Sequence, residues 1–262
     1  MLPRDVSVWT PPQYKNQLEA RFPVIYMHDG QNLFYKEKSY TQVTWGVVET
    51  ITKLSDFGFI RPAIVVGIDN TENRYGDYLP TKPIETPEGK AFIAALEKEP
   101  PDIMEKFDYV ADEYIKLIVE TIKPQIDLDF RTLPNMENTY VIGSSMGGLI
   151  SLYALVEYPD VFGGAGCLST AWPTLGQFAA PYLQKGLPKA GKHRIYYDHG
   201  TRDLDAGYVP YQQEVDEIMR DKGYVHGKDW ITRVAPGAGH HERSWRNRMH
   251  IALRFFLSVL GG

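Results

Sequence analysis

A single cysteine in 262 residues, Cys167, excludes any intrachain disulfide. Its setting, Gly163-Gly164-Ala165-Gly166-Cys167-Leu168, is small and apolar, which suits a buried packing residue better than a reactive thiolate. Long apolar runs are missing too, since no stretch approaches the roughly 20 residues that span a bilayer. Met1-Leu2-Pro3-Arg4 leads directly into a strand-like run without the apolar core of a secretory leader. The chain is therefore expected either to stay inside the cell or to have been supplied without its leader. Excess positive charge is also absent: 28 Lys and Arg stand against 33 Asp and Glu, for a net charge of −5. With no basic stripe to release counterions from nucleic acid or to lie on anionic lipid, neither is an expected partner. Internal repeats and low-complexity tracts are not found.

What is present is an ordinary globular balance, 43% hydrophobic and 23% charged, enough for one large core over residues 1–262. Apolar, β-branched runs occur at 5–9, 23–28, 62–68, 139–143, 161–168, 193–198 and 230–235, most of them followed by a helical pattern. Strands alternating with helices predict a mostly parallel central sheet with helices on both faces, an α/β fold. Two long amphipathic helices are expected. One covers 103–123, with Phe107, Val110, Tyr114, Leu117, Ile118 and Ile122 on one face and a stop at Pro124. The other covers 244–258. Between the early strands and the first helix, the Pro-rich stretch 78–102 reads as an excursion over one sheet end, a candidate lid or pocket wall, with a short amphipathic segment at 91–98.

The sharpest feature is Gly143-Ser144-Ser145-Met146-Gly147, which fits the Gly-x-Ser-x-Gly turn that lifts one serine hydroxyl clear of the backbone between a strand and a helix. Only Ser145 has glycines two residues before and two after; a Cβ at either is expected to clash. Thr139-Tyr140-Val141-Ile142 before the turn is strand-like, and Leu149, Tyr153, Ala154 and Val156 after it have helical spacing. A serine hydroxyl is a weak nucleophile at neutral pH, so it needs a base, and the base needs an acid to hold its tautomer. The loop Ala235-Pro236-Gly237-Ala238-Gly239-His240-His241-Glu242 follows the last strand and offers His240 or His241 as the base. His226 and His250 read as surface or packing residues. The acid is sought after the preceding strand, where Asp198, Asp203 and Asp205 compete; Asp198 ends the strand and suits a turn cap. A developing oxyanion needs two backbone N–H groups, expected from Met146 and, after an early strand, from Gln31 in Tyr26-Met27-His28-Asp29-Gly30-Gln31-Asn32. Adjacent histidines diverge and no other cluster has ligand spacing, so neither a metal nor a cofactor is expected.

Taken in order, these segments resemble the esterase family of α/β hydrolases that includes feruloyl and acetylxylan esterases, enterochelin-type siderophore esterases, esterase D and the related mycolyltransferases. The resemblance runs from Val6-Ser7-Val8-Trp9 to the last helix and is carried by His28-Asp29-Gly30-Gln31-Asn32-Leu33-Phe34, by the turn around Ser145 and by His240-His241-Glu242-Arg243-Ser244-Trp245. It implies an α/β-hydrolase fold. The closing motif of the family, His-x-Glu-x-x-Trp, implies His240 as base. Gly200-Thr201, Leu204-Asp205 and Tyr211-Gln212 match the relatives that imply Asp205 as acid, while other members imply Asp203. The implied activity is a serine carboxylesterase acting through an acyl-enzyme, removing feruloyl or acetyl groups from polysaccharide, with a siderophore trilactone esterase or an acyltransferase as alternatives. An anionic ferric catecholate favours a basic pocket, whereas the nearby loops carry Asp29, Asp69, Glu72 and Asp77 beside only Arg74 and Lys82. Trp172 and Tyr78 are the aromatics expected to stack on a sugar or phenolic ring.

Overall fold

The computed structural model describes residues 2–96, 98 and 107–259. Seven strands, β1 (Val6–Trp9), β2 (Val24–His28), β3 (Ile64–Ile68), β4 (Thr139–Ser144), β5 (Gly164–Leu168), β6 (Arg194–His199) and β7 (Trp230–Val234), form one sheet in the order β1-β3-β2-β4-β5-β6-β7. β1 runs antiparallel to β3, and every other pairing is parallel. This is the α/β-hydrolase arrangement. Each expected apolar run becomes a strand, with ends displaced by no more than a few residues.

Helices cover both faces, so β2, β3, β4 and β5 are buried along their whole length and do not alternate between buried and exposed residues. In β2, Val24 and Tyr26 enter one core, with the helix Met146–Glu157, while Ile25 and Met27 enter the other, with the helices Val47–Asp56 and Glu242–Leu257. Burying each such side chain stabilises the fold by about 1.5–3 kcal/mol relative to exposure. The helix Met146–Glu157 is buried from Met146 to Val156, which explains why its apolar residues are not confined to one stripe.

The expected helix at 103–123 is corrected at its end. Residues 103–106 lie outside the described residues; from Ala111 the helix passes through Pro124 and continues to Asp129. A π-helical turn at Ile118–Ile122 ends two residues before the proline. Such a wider turn removes the i→i−4 bond that proline cannot make and the clash of its ring with the preceding carbonyl. The excursion at 78–102 contains short helices Thr81–Ile84 and Pro87–Leu96, and it rests on the molecule: Thr81 Oγ1 donates to Asp112 Oδ1 at 2.8 Å, and Phe92 packs on Phe178 with centroids 5.6 Å apart.

Candidate active site

β4 delivers Ser145 at the carboxyl edge of the sheet, where the topology opens. Ser145 has φ 58° and ψ −122°, a conformation an L-residue adopts only when its surroundings enforce it. Enforcement comes from both sides, since Ser145 N–H donates to Leu168 O at 2.9 Å and its own carbonyl accepts from Ala171 N–H at 3.1 Å. A Cβ on Gly143 would lie 2.4 Å from Gly147 O, so the first glycine is obligatory. At Gly147 the expectation of a clash is corrected: a Cβ there meets Asp29 Oδ2 and His28 Cβ at 3.5 Å, ordinary contact.

The loop after β7 brings His240 over this serine. His240 Nε2 lies 2.9 Å from Ser145 Oγ, and Nδ1 lies 2.6 Å from Asp205 Oδ1. An ionised Asp205 can only accept, so Nδ1 carries the proton and Nε2 is left to accept from the serine. Burial acts to raise the Asp205 carboxyl, but hydrogen bonds from His240, Ser169 and Gly200 outweigh it and leave it below its ordinary value. Asp205 Oδ2 accepts from Gly200 N–H at 2.5 Å and from Ser169 Oγ at 2.6 Å. The Ser169 hydroxyl is oriented for that donation because it also accepts from Trp245 Nε1 at 3.0 Å and Arg248 Nη2 at 2.5 Å. Arg248 in turn pairs with buried Asp198, Nε to Oδ1 at 2.9 Å.

Opposite the histidine, β2 ends in Asp29, a non-glycine residue with φ 56°. Asp29 is held there by a two-pronged Arg74 pair, Nε to Oδ1 at 2.7 Å and Nη2 to Oδ2 at 2.8 Å, and by Asn70 Nδ2 at 2.6 Å. Burial tends to raise its carboxyl; the Arg74 charge and these hydrogen bonds prevail and lower it. Gly30 follows with its α-carbon against β3, where a Cβ would sit 2.6 Å from Gly67 C, and Gln31 is anchored through Oε1, which accepts from Asn70 N–H at 3.2 Å. Among the described residues, neither Gln31 N–H nor Met146 N–H has an acceptor. Both residues lie beside Ser145, Met146 as its chain neighbour and Gln31 in the same cavity. That cavity, of about 530 Å³, is bounded by Ser145 and His240, the Asp29, Asn70 and Arg74 cluster, and by Tyr40, Thr41, His241, Glu242 and Trp245.

This arrangement, on this fold, matches the family described as "Putative esterase", whose model covers residues 2–256. The chain belongs to that family. The esterase is 22% identical over 246 residues to the uncharacterized protein YbbA of Bacillus subtilis (strain 168), an alignment covering 92% of this chain and 87% of the relative. Among solved structures it superposes on a ferulic acid esterase with TM-score 0.67 at 16% identity, covering 97% of this chain and 92% of that one. It also superposes on the enterochelin esterase of Shigella flexneri, with TM-score 0.62 at 18% identity, covering 97% of this chain and 54% of that one.

Other expected residues of the esterase are placed differently. Trp172 is corrected: it is 2% exposed, packs in the core against Tyr197, and donates from Nε1 to Gln212 Oε1 at 3.0 Å, away from the Ser145 cavity. Past β5 the chain turns at Ser169, φ 42°, and folds the indole inward. Tyr78 is also fully buried, its hydroxyl accepting from Asp29 N–H at 3.2 Å, so it supports the Asp29 turn rather than offering a ring face. Asp203 is exposed with φ 54° and does not reach His240. His241 caps the last helix, with Nδ1 accepting from Ser244 N–H at 3.3 Å. No described residue of 78–102 lines the Ser145 cavity. Sequence reasoning passed over Tyr40, 88% exposed at the cavity rim, and the Ser169 and Arg248 pair, for which no motif signals a role.

Proposed function

We propose that this esterase is a serine carboxylesterase with Ser145 as nucleophile, His240 as base and Asp205 as acid, acting on feruloyl- or acetyl-type esters of a carbohydrate. The observation that carries the reading is the continuous hydrogen-bond chain from Asp205 through His240 to Ser145 at 2.6 and 2.9 Å, ending at a strained turn that faces a cavity. Ser145 Oγ attacks the ester carbonyl as its proton passes to His240 Nε2, and the carbonyl oxygen becomes an oxyanion facing Gln31 and Met146 N–H. Collapse breaks the bond to the alcohol, which leaves with the proton from His240. Water then gives a proton to His240 and attacks the acyl-serine, and expulsion of Ser145 releases the acid.

Charge supports a neutral alcohol over an anionic trilactone. Arg74 is the one Lys or Arg lining the cavity among the described residues, and Asp29 already neutralises it. Hydroxyl-rich walls from Thr41, Thr71 and Tyr40, with Glu242 accepting from Thr41 Oγ1 at 3.0 Å, suit a sugar, and the exposed Tyr40 ring offers a stacking face. Hydrolysis of methyl ferulate, acetylated xylan and a siderophore trilactone by the same preparation tests this, with product analysis in the presence of an acceptor sugar to detect transfer. Activity on the first or second substrate is expected, and Ser145→Ala lowers kcat by on the order of 10⁴ while abolishing labelling by an organophosphonate. Preference for the trilactone overturns the substrate class; more than a few per cent of activity left in Ser145→Ala overturns the nucleophile.

A further inference from the structure

A second cavity, of about 470 Å³, lies where β7, at the edge of the sheet, meets the second half of the helix Glu242–Leu257. Its size falls within the roughly 300–1,000 Å³ of small-molecule sites. Residues two apart on a strand share a face, and the pairing of Tyr196 with Ile231 and Asp198 with Arg233 sets Arg194, Ile231 and Arg233 on the helix side of β6 and β7. From the helix, His250 and Arg254 stand one turn apart and border the same space, with Ile251 between them. Three guanidiniums and an imidazole thus converge from three elements.

No ion pair among the described residues answers this charge. Among the described residues, no carboxylate lines the cavity, and Arg194, Arg233 and Arg254 take part in no salt bridge. Arg194 stacks over Phe255 at 4.5 Å and Arg254 over Phe59 at 5.4 Å; such stacking fixes the plane of a guanidinium and leaves its N–H edge free. Half-buried Arg194 is pushed below its ordinary value by burial and by the neighbouring Arg61, against the opposing effects of Tyr140 and Asp229. Asp229 Oδ1 is already engaged by Val225 N–H at 2.7 Å. An ordinary solvated surface intersperses charges of both signs, so a basic cavity with no acid among its described lining residues, in a chain of net charge −5, needs another explanation.

We propose that this cavity binds a phosphate-bearing small molecule, its phosphate on the guanidinium edges and its organic body against Ile231 and Ile251. Phosphate fits better than carboxylate because three forks offer more donors than two oxygens accept, and a charge near −2 balances more of the cluster. The inference is independent of the chemistry at Ser145. Calorimetric titration of the full chain with inorganic phosphate, phenyl phosphate and benzoate in 0.15 M NaCl, a near-physiological salt that screens loose surface attraction, tests it. Saturable binding is expected in the order phenyl phosphate, inorganic phosphate, benzoate. Arg233→Gln and Arg254→Gln, both at exposed positions, should each weaken phenyl phosphate about tenfold or more and leave hydrolysis of a neutral aryl ester unchanged. Absence of saturable phosphate binding at millimolar concentration, undiminished binding in the double variant, or benzoate binding as tightly as phenyl phosphate would overturn the proposal. Inorganic phosphate binding more tightly than phenyl phosphate would overturn the organic body.

Discussion

Arg248 shows how much a single residue outside the cavity contributes to it. It stands between two buried carboxylates, 2.9 Å from Asp198 Oδ1 and, through Nη2, 3.8 Å from Asp205 Oδ2, while Nη2 also orients Ser169. Burial pushes the Asp198 carboxyl above its ordinary value even with Arg248 opposing. Without the guanidinium, Asp198 and Asp205 would repel one another in a site that water does not reach. Arg248→Met is therefore expected to cost roughly 3–5 kcal/mol of stability, the scale of breaking a buried pair, measured by urea unfolding. Its kcat/KM profile should also move its acid limb to higher pH, because a cation that opposed protonation of the cluster is gone. Arg248→Lys should recover part of that shift. A stable Arg248→Met enzyme with an unmoved profile would show that the residue serves packing alone. This is a positioning role, since Arg248 reaches the serine only through Ser169 and Asp205.

At the scale of elements, the strand–turn–helix around Ser145 is the part whose geometry its local sequence dictates most fully. The two flanking glycines look equivalent in the pattern, yet their surroundings differ: 2.4 Å to backbone at Gly143 and 3.5 Å to side chains at Gly147 for an added Cβ. Gly143→Ala must displace the helix Met146–Glu157, and a shift near 1 Å at a reacting atom costs about 10² in rate. The expected outcome is a kcat loss of that order together with a lowered Tm, whereas Gly147→Ala should lose less than about tenfold. Equal damage from both would mean that the turn is strained by something other than the Gly143 contact. The helix through Pro124 teaches a related lesson. A proline read as a stop is absorbed by the π turn before it, because a five-residue turn changes which carbonyl faces the missing donor.

For the whole molecule, pH links the site to stability through His28. It lies at the end of β2 with no exposure, Nδ1 2.7 Å from Tyr114 Oη, and no partner for Nε2 among the described residues. Burial lowers its pKa to about 3; the charges of Arg74 and Arg4 add to the lowering and that of Asp29 opposes it. The folded value lies below the unfolded one, so between about pH 6.5 and 3 the unfolded chain binds a proton that the native state refuses. Stability contributed by neutral His28 is thus complete above about pH 6.5 and declines as pH falls, at about 1.4 kcal/mol per unit for one group. Urea midpoints of wild type and His28→Asn at pH 4.5 to 6.5 should show the variant with the shallower dependence. Parallel slopes would place the acid sensitivity elsewhere, with the lowered carboxyls of Asp29 and Asp205 acting over a lower pH range in the same direction.

What the sequence determined by itself is what short-range sterics and periodicity encode. Seven apolar runs became seven strands, the glycine-flanked serine became the strained turn, and the loop after the last strand carried the histidine that faces it. Glu242 and Trp245 singled out His240 from His241 through a motif whose physical basis is the start of a helix at Glu242, capped by His241. The tertiary structure decided what depends on segments far apart in the chain. Asp203 and Asp205 share one loop and one chemistry, and only the approach of residues 35 positions later, closing at 2.6 Å, distinguishes them. Trp172 was legible as a large aromatic near the sheet edge, but whether it faced solvent or core was set by the turn at Ser169 and by Gln212, 40 residues on. Ser169 and Arg248, 79 residues apart, carry no pattern at all, because a buried polar contact is selected by the geometry of the packed core rather than by the φ and ψ preferences of its own neighbours.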